Sequence, residues 1–252
     1  MEHKEYQRDT GAKIGVIFVH GILGTPNQFL KIDYVMEKQG YDSHSILLPG
    51  HGKTARELRS TTYRNWLDYS SECIGKMRKR YQKLYLVGHS MGGLLCINAL
   101  VQNRADGLIL INTPARTTVS AVQIKRSMGL VLPFLPKDHA YLKAHKESAG
   151  VEINQFYEYI MLTKPMLEVS KLIMKTRRCF SQVETSTLII QSKNDEVVFY
   201  KNAYFLKENI SGAKQDILFL NDSSHALFSQ RDEEKMIDHI LRFVEKNGET
   251  KI

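Results

Sequence analysis

The chain has 252 residues, of which 42% are hydrophobic and 25% charged, and its formal net charge is +8. This composition is ordinary for a soluble globular protein and excludes a low-complexity chain. The densest basic cluster, Lys76–Arg80, lies late in a helical pattern, where cations suit the negative end of the helix dipole. No nucleic-acid motif accompanies it, so we expect no nucleic-acid partner.

The predicted elements of the first 114 residues alternate between strands and helices. The apolar run 14–19 predicts a buried strand, and Thr25, Pro26 and Gln28 predict a capping box at the start of a helix that Gly40 ends. Further strands are predicted at 45–48, 84–87 and 108–111, and further helices at 62–81 and 92–103. This alternation predicts a mostly parallel sheet with helices on both faces.

The alternation breaks after residue 114. The segment 115–183 contains helical patterns and no convincing strand, which predicts an inserted small helical cap. Strands at 187–191 and 216–220 and helices near 200–209 and 231–247 then resume the core. We therefore predict a core in two parts, 1–114 and 184–252, with the cap at 115–183 between them.

A candidate nucleophile stands where the predicted strand 84–87 meets the next helix. The stretch Gly88–Gly92 fits the pattern G-x-S-x-G, with Ser90 at its centre. A serine on such a sharp turn has a strained backbone and an exposed hydroxyl. Glycines suit both ends of the pattern because strand and helix approach too closely for a Cβ. The alternative is a glycine-rich turn with a bystander serine.

A serine nucleophile needs a base and an acid that orients it. His225 lies in a polar loop after the last predicted strand, and Asp195 follows the strand 187–191. Active-site groups gather at such carboxyl ends of strands in open α/β sheets. We predict these two residues as base and acid. Asp222, in the histidine's own loop, is the rival acid, and Glu196 is expected to face away from Asp195.

Acyl transfer also requires donors for the oxyanion. The predicted donors are the backbone N–H groups of Ile22, in the loop after the first apolar strand, and of Met91, behind the nucleophile. His20 is predicted to brace that loop by hydrogen bonds. No metal or other cofactor is expected.

The motifs His20-Gly21, Gly50-His51-Gly52, Gly88–Gly92, Asn194–Glu196 and Ser224-His225 occur in this order along the chain. Together they resemble the α/β-hydrolase superfamily, and most closely its compact bacterial carboxylesterases and monoacylglycerol lipases with a small helical cap. The resemblance implies hydrolysis of carboxylic esters, a Ser–Asp–His order, no cofactor, and a loop-shaping role for His51. The segment before Ile14 is short, so the first one or two strands of the superfamily's usual sheet are expected to be missing from this chain.

The predicted cap contains an apolar, proline-bounded stretch, 128–136. We predict that Leu130, Leu132 and Phe134 line an acyl-chain pocket. The alternative is that this stretch packs the underside of the cap against the core.

The preferred function is hydrolysis of short- to medium-chain acyl esters, including monoacylglycerols. Alternatives on the same triad are a thioesterase, lactonase, amidase or C–C bond hydrolase, and a non-catalytic ligand-binding protein on this fold is a further alternative. We expect a small-molecule ester as partner, and a monomer and a homodimer both remain open.

The expected location is the cytoplasm. The three cysteines are widely spaced and odd in number, which argues against a disulfide framework. No apolar run reaches the roughly 20 residues of a membrane span, so no stable membrane insertion is expected. The polar N-terminal residues do not resemble a signal peptide.

Overall fold

The computed structural model describes residues 3–116, 150–152, 156–212 and 217–248. Seven of the described strands form one sheet, in the order β1-β3-β2-β5-β6-β8-β9, and two form a separate short ladder. Neighbours in the large sheet are parallel except β1 and β3. The strands are β1 (Tyr6–Arg8), β2 (Ile14–Val19), β3 (Asp42–Ile46), β4 (Lys53–Thr54), β5 (Lys83–His89), β6 (Gly107–Ile111), β7 (Val151–Glu152), β8 (Thr187–Ser192) and β9 (Ile217–Leu220).

Helices cover both faces of this sheet. The α-helices are α1 (Leu30–Lys38), α2 (Ala55–Ser60), α3 (Tyr63–Arg80), α4 (Met91–Ala99), α5 (Phe156–Met161), α6 (Thr163–Thr176), α7 (Asn202–Asn209) and α8 (Gln230–Gly248), with 3-10 turns at Pro26–Phe29 and Arg177–Gln182. Side chains alternate across a strand, so Ile17 of β2 packs in the core under α3 and α4, whereas Phe18 packs in the core under α1 and α8. The predicted α/β fold with a mostly parallel sheet is confirmed.

The N-terminal segment supplies one extra strand. β1 pairs antiparallel with β3 and extends the sheet at that edge. The strand predicted at 45–48 lies instead at Asp42–Ile46. Its residues 42–45 are polar, but the strand pairs on both sides, and the Asp42 carboxylate accepts hydrogen bonds from the N–H groups of Thr10 and Ala12. Backbone pairing rather than an apolar run therefore defines this strand.

The predicted capping box at Thr25 and Gln28 is wrong. Residues 26–29 form a 3-10 turn, Thr25 makes no side-chain cap hydrogen bond, and α1 begins only at Leu30. Thr25 is buried, and its methyl group lies close against Gly150. Its side chain thus packs against the returning end of the predicted cap instead of capping the helix.

The described part of the predicted cap consists of β7, α5, α6 and the second 3-10 turn. The expectation of no strand in this segment is wrong, because β7 pairs in parallel with β4. A two-residue ladder has no periodicity that a sequence can reveal. The boundaries 115–183 stay a prediction, because residues 117–149 lie outside the described ranges. No helix in the described ranges is long and apolar enough to cross a membrane.

Candidate active site

Ser90 occupies the sharp turn between β5 and α4. Its φ is 52° and its ψ −121°, a combination that costs free energy and persists only where the surroundings impose it. The N–H of Ser90 donates to the carbonyl of Ile111 on β6 at 2.8 Å. A Cβ on Gly92 would lie 1.9 Å from the carbonyl oxygen of Val19, and one on Gly88 2.5 Å from Gly93 Cα. The glycines of the motif are therefore required by close backbone packing.

The three residues predicted as a triad meet at the carboxyl end of the sheet. The distance from His225 Nε2 to Ser90 Oγ is 2.9 Å, and that from His225 Nδ1 to Asp195 Oδ2 is also 2.9 Å. Asp195 Oδ1 accepts from the N–H groups of Val197 and Val198 at 2.8 and 2.7 Å, which fixes the carboxylate. The arrangement gives a continuous hydrogen-bonded path from hydroxyl to carboxylate.

The rival acid, Asp222, is exposed. Its N–H donates to the carboxylate of Asp232, at the start of α8, with a distance of 2.7 Å. The acid in contact with the His225 ring is therefore Asp195 and not Asp222.

The surroundings of His225 favour a strong base. Burial alone would lower its pKa, but the charge of Asp195, its hydrogen bond and the charge of Glu196 outweigh burial and raise the pKa above the ordinary value. An imidazole with a raised pKa accepts the serine proton more readily as the hydroxyl attacks.

The loop predicted to hold the oxyanion lies directly against the nucleophile. Gly24 N–H donates to the carbonyl of Gly21 at 3.1 Å, and Leu23 has a φ of 61°, so residues 21–24 form a tight turn with Ile22 in its middle. A Cβ on Gly21 would lie 3.0 Å from Ser90 Cβ. Met91 begins α4, where N–H groups have no partner within the helix. The turn that contains Ile22 and the first residue of α4 thus lie beside Ser90, and the donor roles stay a prediction.

Two buried histidines shape this loop. His20 Nδ1–H donates to the carbonyl of Gly21 at 2.8 Å, and its Nε2 accepts from the N–H of Leu48 at 3.0 Å. The ring of His51 lies 4.8 Å from that of His20, with its Nδ1 3.3 Å from the carbonyl of Pro49. Burial lowers the pKa of both, to about 4 for His51, so both are neutral. The geometry agrees with their predicted bracing roles.

The sequence reasoning missed Asn112, at the end of β6. This buried residue has a φ of 46°. Its Nδ2 donates to the carbonyl of His225 at 2.9 Å, and its Oδ1 accepts from the N–H of Ser192 at 2.8 Å. Asn112 therefore ties the base loop to β8. A polar residue directly after an apolar strand is the signal in the sequence, but that position does not distinguish a structural amide from a catalytic group.

The sequence reasoning also missed Gly150. Its N–H donates to the carbonyl of Leu23 at 2.7 Å, and its carbonyl accepts from Gly52 N–H at 2.6 Å. A Cβ at this position would lie 2.1 Å from Thr25 Cγ2 and 2.3 Å from Gly24 O. The returning end of the predicted cap is thereby fastened between the oxyanion loop and the turn Gly50–Gly52.

Leu130, Leu132 and Phe134 lie outside the described residues, so the acyl pocket stays a prediction. Within the described ranges, no group of three or more His, Cys, Asp or Glu side chains is arranged to hold a metal ion.

The sequence profile of the hydrolase family described as "Serine aminopeptidase, S33" matches residues 11–232. The chain belongs to this family. It is 27% identical over 238 residues to a thermostable monoacylglycerol lipase of Bacillus sp. (strain H-257), and the match covers 93% of this chain and 92% of the relative.

Two solved structures share the fold over nearly the whole chain. One comes from work on LipS and LipT, two metagenome-derived lipolytic enzymes, with a TM-score of 0.77, 22% identity and coverage of 97% of this chain and 98% of the other. The second is a monoacylglycerol lipase of Paleococcus ferrophilus, with a TM-score of 0.72, 16% identity and coverage of 98% and 100%. The predicted superfamily is confirmed, and these matches support the prediction of a serine hydrolase that cleaves esters.

Proposed function

We propose that this chain hydrolyses carboxylic esters through an acyl-enzyme on Ser90, with His225 as base and Asp195 as orienting acid. The observation that carries the proposal is the hydrogen-bonded path from Ser90 Oγ through both ring nitrogens of His225 to Asp195, with 2.9 Å at each step. The alternative of a bystander serine does not explain why Ser90 contacts a histidine whose other ring nitrogen is held by a buried carboxylate.

The steps follow from this geometry. His225 Nε2 takes the proton of Ser90 while Oγ attacks the ester carbonyl, and Asp195 stabilises the imidazolium that forms. The N–H groups of Ile22 and Met91 donate to the oxyanion of the tetrahedral intermediate. His225 then passes its proton to the departing alcohol. A water molecule repeats the sequence on the acyl-enzyme and frees the carboxylic acid and Ser90.

The proposed substrates are short- to medium-chain acyl esters, monoacylglycerols included. The similarity to the Bacillus monoacylglycerol lipase, which extends over 93% of this chain, supports that class. The family description names an aminopeptidase, and this observation favours amide hydrolysis as the second candidate.

All three cysteines, Cys73, Cys96 and Cys179, are free thiols, which agrees with a cytoplasmic location.

The test compares wild-type protein with Ser90→Ala on p-nitrophenyl esters, thioesters and amides of graded acyl length. We expect wild-type kcat/KM to be highest on esters, and we expect Ser90→Ala to abolish turnover with an unchanged circular dichroism spectrum. Retained turnover in the folded variant would show that Ser90 is not the nucleophile. Amides turned over faster than esters would favour the second candidate.

A further inference from the structure

The main chain of His225 is held by side chains from the ends of three strands. The Glu196 carboxylate, after β8, accepts from the N–H of His225, with 3.0 Å between Oε2 and N. Two side chains donate to its carbonyl: His89 Nε2–H, from β5, at 2.8 Å and Asn112 Nδ2–H, after β6, at 2.9 Å. Both backbone polar groups of the base are therefore fixed from outside its own loop.

Glu196 lies beside Asp195 in sequence, and the expectation that it faces away is wrong. Both carboxylates reach His225, one at the ring and the other at the backbone. Opposite orientation of neighbours holds for an extended strand, whereas Asp195 Oδ1 closes a tight turn with Val197 and Val198. In that turn, successive side chains can face the same loop.

We propose that Glu196 is a positioning residue for the base: its carboxylate holds the His225 main chain so that the imidazole spans Asp195 and Ser90, and its charge stabilises the imidazolium. This inference rests on the proposed function. A hydrogen bond to an ionised acceptor is stronger than one to a neutral acceptor, so a carboxylate holds the N–H more firmly than a carbonyl would. The second negative charge favours the protonated ring that forms as Ser90 attacks.

The charged groups around the ring define the expected pH dependence. Asp195 and Glu196 face His225 from the loop after β8, and both act to raise its pKa. His89 comes from the end of β5 and Ser90 from the turn that follows it. Burial lowers the pKa of His89 to about 4, which leaves it neutral. Asn112, after β6, is uncharged. Removal of the Glu196 charge therefore lowers the pKa of His225, and the acid limb of the rate profile moves to lower pH.

The experiment measures kcat and kcat/KM against pH for p-nitrophenyl butyrate in wild type, Glu196→Gln and Glu196→Ala. Asp222→Asn is the matched control, because it removes an exposed carboxylate from the loop of His225 itself.

In Glu196→Gln an amide oxygen can still accept from the backbone but the charge is gone. We expect its acid limb at lower pH and a plateau kcat modestly below that of wild type, because the charge no longer stabilises the imidazolium. Glu196→Ala should lower the plateau kcat roughly 10- to 100-fold with little change in KM, because the base is less well placed.

Asp222→Asn should have the same acid limb and the same plateau kcat as wild type. If the acid limb of Glu196→Gln lies at the same pH as that of wild type, the inference is overturned, whatever the result for Glu196→Ala. If Glu196→Ala does not fold, the pH profile of Glu196→Gln is sufficient to test the inference. Fluorophosphonate labelling of Ser90 separates the two proposals. A wild-type protein that neither turns over the ester nor labels at Ser90 contradicts the proposed function itself, whereas an active wild type with unaltered Glu196 variants contradicts only the positioning role.

Discussion

Each carboxylate oxygen of Asp195 has a separate task. Oδ1 accepts two backbone N–H groups, and Oδ2 accepts His225 Nδ1–H together with Nε2–H of Gln191 at 3.2 Å. An asparagine cannot serve both sets, because its NH₂ group must face either the backbone donors or the ring. If it faces the ring, the imidazole takes the tautomer that cannot accept the serine proton.

We therefore predict that Asp195→Asn lowers kcat roughly 10⁴-fold, the scale of this change in a serine protease triad. Asp222→Asn should leave kcat within twofold or so, since ordinary surface substitutions have small effects. Steady-state rates on p-nitrophenyl butyrate check both variants. If kcat falls strongly in Asp222→Asn and not in Asp195→Asn, the orienting acid is Asp222.

The sequence was sufficient to predict Ser90, Asp195 and His225, because each is a polar residue that shortly follows an apolar strand, a purely local signal. Asn112 and Glu196 also follow apolar strands, but this signal does not give their roles. Their roles depend on how closely the main chain of His225 approaches the ends of other strands. Such approaches between residues far apart in sequence leave no periodicity or motif within one segment.

At the scale of elements, Gly150 connects the predicted cap to the oxyanion loop. We predict that Gly150→Ala lowers kcat at least tenfold, because its Cβ would meet Thr25 Cγ2 at 2.1 Å and Gly24 O at 2.3 Å and displace the turn that presents Ile22. KM should change less than kcat if the oxyanion donors act mainly in the transition state.

Gly75→Ala is the control for this substitution. Gly75 lies on α3, where an added Cβ would meet only Asn103, at 3.1 Å, and alanine favours the helix. Its activity should match wild type. If Gly150→Ala has the kcat and the unfolding temperature of wild type, the contacts of Gly150 do not determine the position of the oxyanion loop.

The strands show where sequence patterns are informative at this scale. β6 and β8 are predicted nearly in full because they are buried apolar runs in the middle of the sheet, whereas the prediction covers only the apolar residues 84–87 of β5. β3 is displaced from its predicted range because partners on both sides define it. β7 is absent from the prediction because two paired residues carry no pattern.

At the scale of the whole molecule, three buried neutral histidines make the fold sensitive to acid. Burial lowers the pKa of His20 well below its ordinary value and lowers those of His51 and His89 to about 4. In the unfolded chain their pKa is about 6.5. As the pH falls from 6.5 toward 4, the unfolded chain therefore binds protons that the fold excludes, and stability is lost. For His51 and His89 the effect is on the order of 3 kcal/mol each.

We predict that the free energy of unfolding falls between pH 6.5 and 5, as measured by urea denaturation. His225 acts in the opposite direction. Because its folded pKa is raised, its contribution is fully present below pH 6.5 and is lost as the pH rises through that pKa. His51→Gln should reduce the dependence on pH. A stability that is flat between pH 6.5 and 5 would contradict the prediction.

The loop that carries the base is fixed by the last helix of the chain. Asp232, in the first turn of α8, accepts hydrogen bonds from the main chain of Asn221 and Asp222 and from the Ser223 hydroxyl. An incomplete chain that ends before α8 would therefore lack the hydrogen bonds from Asp232 to residues 221–223, and its base loop would keep only the contacts with the ends of other strands. During synthesis from the N-terminus, these hydrogen bonds form only after the first turn of α8 has docked. The loop of the base thus receives its last hydrogen bonds from residues that follow it in the chain.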